Sequence, residues 1–268
     1  MNLLVRIASA LVLLPIALYC IHKGGWAMIG LIAVAISIAL GEAFRMVFDD
    51  ALEQRVLSLL GMVMLAGLGA GILDSRQLPM SLGLMAMVVI AQAVLLILRP
   101  RTIETIPARW SAACFLPLYV GLPLLLAMSM RVHSGPDLIY LCLAVTFTND
   151  TFAYFVGKNL GKHKLHPRVS PKKTWEGLAG GVIGSLIASF IIWHWLDLKA
   201  PWTALLAYGL TMGVLTPMGD LAESLLKRAA DVKDSGRIIP GHGGVLDRID
   251  ALLFGFPITY MFALLVLR

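Results

Sequence analysis

Nine apolar segments, at about 3–21, 25–44, 56–73, 78–98, 112–130, 137–156, 177–196, 201–219 and 251–267, limit what this chain can fold into more than any other feature. Most approach the ~20 apolar residues that a helix needs to cross hydrocarbon. Unpaired backbone groups are costly there, and the segments lack the alternation of barrel strands, so each is expected to be a helix. Composition agrees: 59% of residues are hydrophobic and 14% charged, where a soluble domain carries about 25% charged residues. The expected fold is all-α, a polytopic integral membrane protein with about nine transmembrane helices. The first of them is expected to be a retained span, because the "LYCIHKGG" that follows its apolar run is a poor cleavage site.

Basic residues set the expected orientation. Of the 22 Lys and Arg, 17 fall in loops on the N-terminal side and five (Lys23, Arg76, Arg131, Lys199, Arg268) on the other. Lys and Arg are retained on the cytoplasmic side, so the N-terminus and the two long polar stretches, 157–176 and 220–250, are expected to face the cytoplasm. Neither stretch is long enough to bury a core of its own. The expected organisation is therefore an N-terminal set of spans over 1–136 and a membrane region over 137–268 that carries both polar loops. Cys20, Cys114 and Cys142 lie in apolar segments without C-x-x-C spacing, which excludes a disulfide framework or zinc site. No basic run is interleaved with aromatics, so nucleic acid is not an expected partner.

Chemistry is concentrated in the second polar stretch. Asp220, Ser224 and Arg228 recur at i, i+4 and i+8 as span eight runs on past the membrane, and Glu223 stands four before Lys227. Taken alone, that is either a salt-bridged, solvated helix end or a line of carboxylate, hydroxyl and guanidinium set for chemistry where membrane gives way to water. Next comes "IIPGHGGVLDRID", whose glycines permit close backbone approach and whose Asp247 and Asp250 share one helical face around Arg248. Glycine-rich backbone N–H groups suit phosphate oxygens, and adjacent carboxylates suit Mg²⁺.

The first polar stretch, "GKNLGKHKLHPRVSPKKTWEG", falls one residue short of a P-loop and has His163 where Ser or Thr is required. It offers Ser170, Lys172, Lys173 and Thr174 as phosphate donors, or else a basic face attracted to anionic headgroups. Asp150, inside span six, is an acid in an expensive place and is expected to line the same polar region as Asp220. Glu42, near the end of span two, is read either as a participant or as a group that merely reaches the interface.

These residues resemble the CDP-diacylglycerol synthases (phosphatidate cytidylyltransferases). The family signature is filled without a gap by Ser224, Lys227, Arg228, Lys233, Asp234, Gly236, His242, Gly243, Gly244, Asp247, Arg248 and Asp250. The Gly219–Asp220 pair, "SPKKTWEG" and "NDTFAYFVGKNLGKHKL" are similar to the family too, so the likeness covers about 145–250. Many members carry Trp three residues before the intramembrane Asp, where this chain has Phe147.

The resemblance implies transfer of a cytidylyl group from CTP to phosphatidate, giving CDP-diacylglycerol and pyrophosphate for phospholipid synthesis. It also implies a homodimer in a bacterial inner (plasma) membrane with its active site facing the cytoplasm. Mg²⁺ is the implied cofactor, with K⁺ nearby, and Asp220 and Asp247 are the implied metal carboxylates. Asp150 and Asp250 are expected to support them, while Lys227, Arg228, Lys233 and Arg248 neutralise phosphate. Ser224 and His242 complete the motif, Gly243 and Gly244 admit the phosphates, and Ser170, Lys172 and Lys173 hold either the lipid phosphate or CTP.

Rival readings are a CTP-dependent lipid kinase, which would move the γ-phosphoryl group, and a transporter, which would place its charges near the midplane of broken helices. A CDP-alcohol phosphotransferase is disfavoured by the missing Asp-Gly-x-x-Ala-Arg motif.

Overall fold

A computed structural model describes residues 3–98 and 103–267. Among these residues ten α-helices follow one another: α1 (Leu3–Lys23), α2 (Gly25–Val47), α3 (Ala51–Leu73), α4 (Leu78–Leu98), α5 (Ile106–Ser134), α6 (Asp137–Leu160), α7 (Trp175–Trp195), α8 (Trp202–Ala229), the single turn α9 (Leu246–Ile249) and α10 (Leu252–Val266). Each of the nine apolar segments lies on one of them. Among the described residues seven helices, α2 to α8, are long and apolar enough to cross a membrane, and Leu11–Lys23 and Leu252–Val266 are shorter apolar helices. The protein is thus an α-helical, polytopic membrane protein.

One departure from an all-helical chain lies between α6 and α7. Strands β1 (Lys164–His166) and β2 (Ser170–Thr174) pair antiparallel, Lys164 opposite Thr174 and His166 opposite Ser170. Pro167, Arg168 and Val169 make the turn. Thr174 then caps α7, its hydroxyl accepting from Gly177 N–H at 3.0 Å. Alternation over so few residues gives no readable pattern, which is why the hairpin is invisible in sequence.

The helices form two compact units. The first comprises Met1–Val132 with Asp234–Asp247, and the second His133–Lys233 with Arg248–Arg268. In the first, α3 meets α4 across a small-residue stripe: Ser81 Oγ donates to Gly67 O at 2.7 Å, and a Cβ at Gly71 would lie 2.6 Å from that hydroxyl. In the second, a Cβ at Gly180 would meet Val156, and one at Gly184 would meet Phe152, each within 2.7 Å. Both stripes therefore pack helices within the chain.

Proline is handled alike in both units. A helical Pro leaves the carbonyl four residues earlier without its donor, and in hydrocarbon that loss must be made good locally. Pro217 frees Gly213 O on α8, and buried Asn149 of α6 donates to it at 3.1 Å while also donating to Ser185 Oγ of α7 at 2.9 Å. Pro117 frees Ala113 O on α5, and buried Gln92 of α4 donates to it at 3.1 Å. Asn149→Leu should accordingly lower stability by about 1–3 kcal/mol, read as a fall in the Tm of detergent-solubilised protein. An unchanged Tm would deny Asn149 this role.

Candidate active site

In the second unit α6 ends, the hairpin turns, α7 begins and α8 ends at one pole, so the bundle's topology gathers the first polar stretch and the start of the second, 220–233, there. Asp220 is the centre of that pole. Its Oδ2 lies 2.9 Å from Lys173 Nζ of β2, and Lys173 also donates to Pro217 O at 2.8 Å. Its Oδ1 accepts from Ser224 Oγ at 3.3 Å, which realises the i, i+4 relation expected from sequence.

Two further acids converge on this centre. Asp150 of α6 interacts electrostatically with both Asp220 and Lys173. Asp250, half-buried just before α10, accepts from Ala251 N–H at 2.7 Å. Burial raises the Asp250 carboxyl to about 7, repulsion by Asp220 adds to the rise, and Lys227 opposes it.

Lys227 is not on a solvated face. It is buried against Glu223, which is itself fully buried, and the two form an ion pair along α8. Arg228 is exposed; its guanidinium donates to Val232 O at 3.0 Å, closing the end of α8. Lys172, Lys233 and Arg248 are exposed and Ser170 half-buried. Phe147, the departure from the family pattern, is 46% exposed, so the difference falls on an outer surface.

The glycine-rich loop belongs to the first unit. Ile239 and Gly243 form a bridge, with His242 N–H donating to Ile239 O at 2.9 Å. Pro240 precedes Gly241, whose φ of 80° gives the left-handed third position of a type II turn. Half-buried His242 leaves this turn. Asp247 closes the loop on itself: Oδ2 accepts from Ser235 N–H and Ser235 Oγ, each at 2.9 Å, and from Gly244 N–H at 2.8 Å. Gly243 has φ 83°, and a Cβ there would lie 2.6 Å from Asp247 Oδ2.

The sequence left Glu42 undecided, and it proves to be fully buried and bonded to this loop. Its Oε2 accepts from Leu246 N–H at 2.9 Å and Ser235 Oγ at 3.2 Å, and its Oε1 from Val245 N–H at 3.2 Å. An acid within an apolar helix was the available signal; nothing in the one-dimensional pattern named its partners. Asn149 and Ser235 were missed altogether.

The donor set suits a hard divalent cation. Asp150, Asp220 and Asp250 bring oxygen ligands and mutual repulsion to one place, which Lys173 and Lys227 offset in part. Among the described residues no group of three or more His, Cys, Asp or Glu could hold a metal ion by itself. Mg²⁺ needs no such cage, since it takes one or two carboxylates and completes its shell with water and phosphate oxygens.

Fold and pole together define a membrane-embedded helical protein that sets carboxylates among amines at one end of a bundle. The family model described as "Cytidylyltransferase family" matches residues 4–266, and the chain belongs to that family. A phosphatidate cytidylyltransferase of Bacillus subtilis (strain 168) is 48% identical over 126 residues, 47% of each chain. One of Staphylococcus saprophyticus is 40% identical over 149 residues, covering 55% of this chain and 57% of the relative. The uncharacterized protein YnbB of Escherichia coli (strain K12) is 46% identical over 139 residues, 52% of this chain and 46% of that one. The matched stretch spans about half the length of these relatives.

Proposed function

We propose that this protein is a phosphatidate cytidylyltransferase, transferring the cytidylyl group of CTP to phosphatidate and releasing pyrophosphate. The observation that carries the reading is the Asp220–Lys173 pair with Asp150 and Asp250 beside it, in a chain of the cytidylyltransferase family. Nucleotidyl transfer brings one polyanion to another, so the protein's task is positioning and charge neutralisation.

In this reading a phosphate oxygen of phosphatidate attacks the α-phosphorus of CTP, and the bond to the β-phosphate breaks. The lipid phosphate has its second pKa near 6 and needs no strong base, consistent with a motif built without a Ser/His/Asp arrangement. Asp220 and Asp247 are read as the carboxylates for Mg²⁺, and Asp150 and Asp250 as their supports. Mg²⁺ held by such carboxylates would neutralise charge that builds on the phosphoryl oxygens. The resemblance adds K⁺ as a second ion.

Arg228, Lys233 and Arg248, with exposed side chains, are read as neutralising the triphosphate and leaving pyrophosphate. Lys227 is read as assisting from its pair with Glu223, and Ser224 as steadying Asp220. His242, Gly243 and Gly244 are assigned to the phosphates through the loop backbone. Lys173 is read with CTP and the metal, because it already pairs with Asp220. Ser170 and exposed Lys172 are left for the lipid phosphate. The finer topology, nine spans with a cytoplasmic N-terminus, a plasma-membrane homodimer and a site open to cytoplasmic CTP, belongs to the same proposal.

The test uses purified full-length protein, phosphatidate, Mg²⁺ and CTP labelled either in the cytidine or at the γ-phosphate. Cytidine label in the lipid fraction with release of pyrophosphate is expected. Only γ-label in the lipid would make the protein a lipid kinase, and no lipid-borne label would overturn transfer altogether.

A further inference from the structure

Glu42 belongs to α2, in the stretch of chain where sequence likeness to the family is only general. Its carboxylate is nevertheless fully buried, and it accepts from three donors of the signature segment: Ser235 Oγ, Val245 N–H and Leu246 N–H. Ser235 Oγ lies within hydrogen-bond distance of both Glu42 Oε2 and Asp247 Oδ2, so one hydroxyl couples the two acids. A second tether comes from α1, where Ser9 Oγ donates to Pro240 O at 2.7 Å.

The glycines of the motif fit the same picture. A Cβ at Gly236 would collide with Glu42 Oε1, and one at Gly244 would collide with both Ser235 Oγ and Glu42 Oε2. At two glycines of the signature a side chain would thus displace the Glu42 carboxylate from its bonded position, independently of any phosphate. Burying a carboxylate is costly unless it is fully bonded. A loop moulded so closely around one acid implies that the acid's position matters to what the loop carries.

We propose that Glu42 is a positioning residue for the metal-holding Asp247: it fixes Ser235 and the 244–246 backbone, and through them the orientation of the Asp247 carboxylate. This rests on the reading of Asp247 as a metal carboxylate. It assigns to an N-terminal span a part in the reaction that the C-terminal signature alone does not reveal.

The experiment compares wild type, Glu42→Gln, Ser235→Ala and Asp247→Asn as full-length purified protein. Mn²⁺ alone is the binding probe, followed by paramagnetic resonance, and hydrogen exchange follows the amides of Val245 and Leu246. Turnover is measured across a Mg²⁺ series. Glu42→Gln sets an amide donor against N–H and O–H donors, so faster exchange at Val245 and Leu246 is expected. Mn²⁺ binding and the Mg²⁺ half-saturation should both weaken about 10- to 100-fold, with kcat at saturating Mg²⁺ much less affected. Ser235→Ala should shift the same quantities in the same direction by a smaller factor, and it serves if Glu42→Gln does not fold.

A kcat loss in both variants with unchanged Mn²⁺ binding and Mg²⁺ half-saturation would reduce Glu42 to a structural acid and overturn the proposal. Wild-type values throughout would do the same. Unaltered Mn²⁺ binding by Asp247→Asn would instead strike at the metal reading on which the proposal stands.

Discussion

Asp220→Asn is expected to remove metal-dependent cytidylyl transfer almost completely, by about 10³-fold or ~4 kcal/mol of transition-state stabilisation, while the protein remains folded in the membrane. The substitution keeps the side chain's shape and its capacity to accept from Ser224 Oγ. It removes the negative charge that faces Lys173 at 2.9 Å. Asp220 is 40% exposed and Lys173 keeps its bond to Pro217 O, so the lost pair should cost only about 0–1 kcal/mol of stability. Function and stability thus separate at this position. Cytidine-label transfer over a Mg²⁺ series, with Tm and gel-filtration profile as controls, makes the measurement. Turnover within about threefold of wild type would remove Asp220 from the metal and with it the centre of the proposed site.

The bundle was largely legible because hydrocarbon leaves a segment few options. Where apolar side chains run for about 20 residues, the backbone must satisfy itself, and a helix does so. Each of the nine apolar segments accordingly became helical, and the errors fell at helix ends, as with α5, which begins at Ile106 where the apolar run was placed from 112. Those extensions are polar turns beyond the apolar run, where hydropathy carries no signal. The hairpin at 164–174 was unreadable for a related reason: its strands hold three and five residues, too few to show a period.

The site was legible as chemistry and only partly as geometry. Asp220 with Ser224 followed from helical spacing, and the convergence of Asp150 with Asp220 followed from the cost of an acid in a span. Whether Lys227 stands on a solvated helix end stays open in sequence, because spacing alone does not reveal that Glu223 is buried. The glycine at 244 reads in sequence as room for close approach, and sequence does not reveal that a Cβ there would meet Ser235 and Glu42. Glu42 and Ser235 are 193 residues apart in sequence. No local pattern encodes such a pairing.

Asp247→Asn is expected to match the loss at Asp220, about 10³-fold in turnover, for a reason that the loop makes specific. Asp247 Oδ2 accepts from three donors, two N–H groups and one hydroxyl. An asparagine amide nitrogen cannot take that place, because it would face Ser235 N–H and Gly244 N–H donor to donor. The side chain must therefore set its carbonyl oxygen there, and the NH₂ group then replaces the other carboxylate oxygen. The loop keeps its shape with three bonds to a neutral acceptor, each weaker than to a charged one, so Tm should fall modestly. A cation would meet a donor where it requires an acceptor. Asp247→Ala separates the two roles in the opposite sense: it leaves Ser235 N–H and Gly244 N–H unsatisfied, at about 1–3 kcal/mol for each group so stranded, and Tm should fall much further. Asp247→Asn with near-normal Tm and no turnover assigns the charge to catalysis. Asp247→Asn with wild-type turnover would leave Asp247 as nothing more than the closure of its own loop.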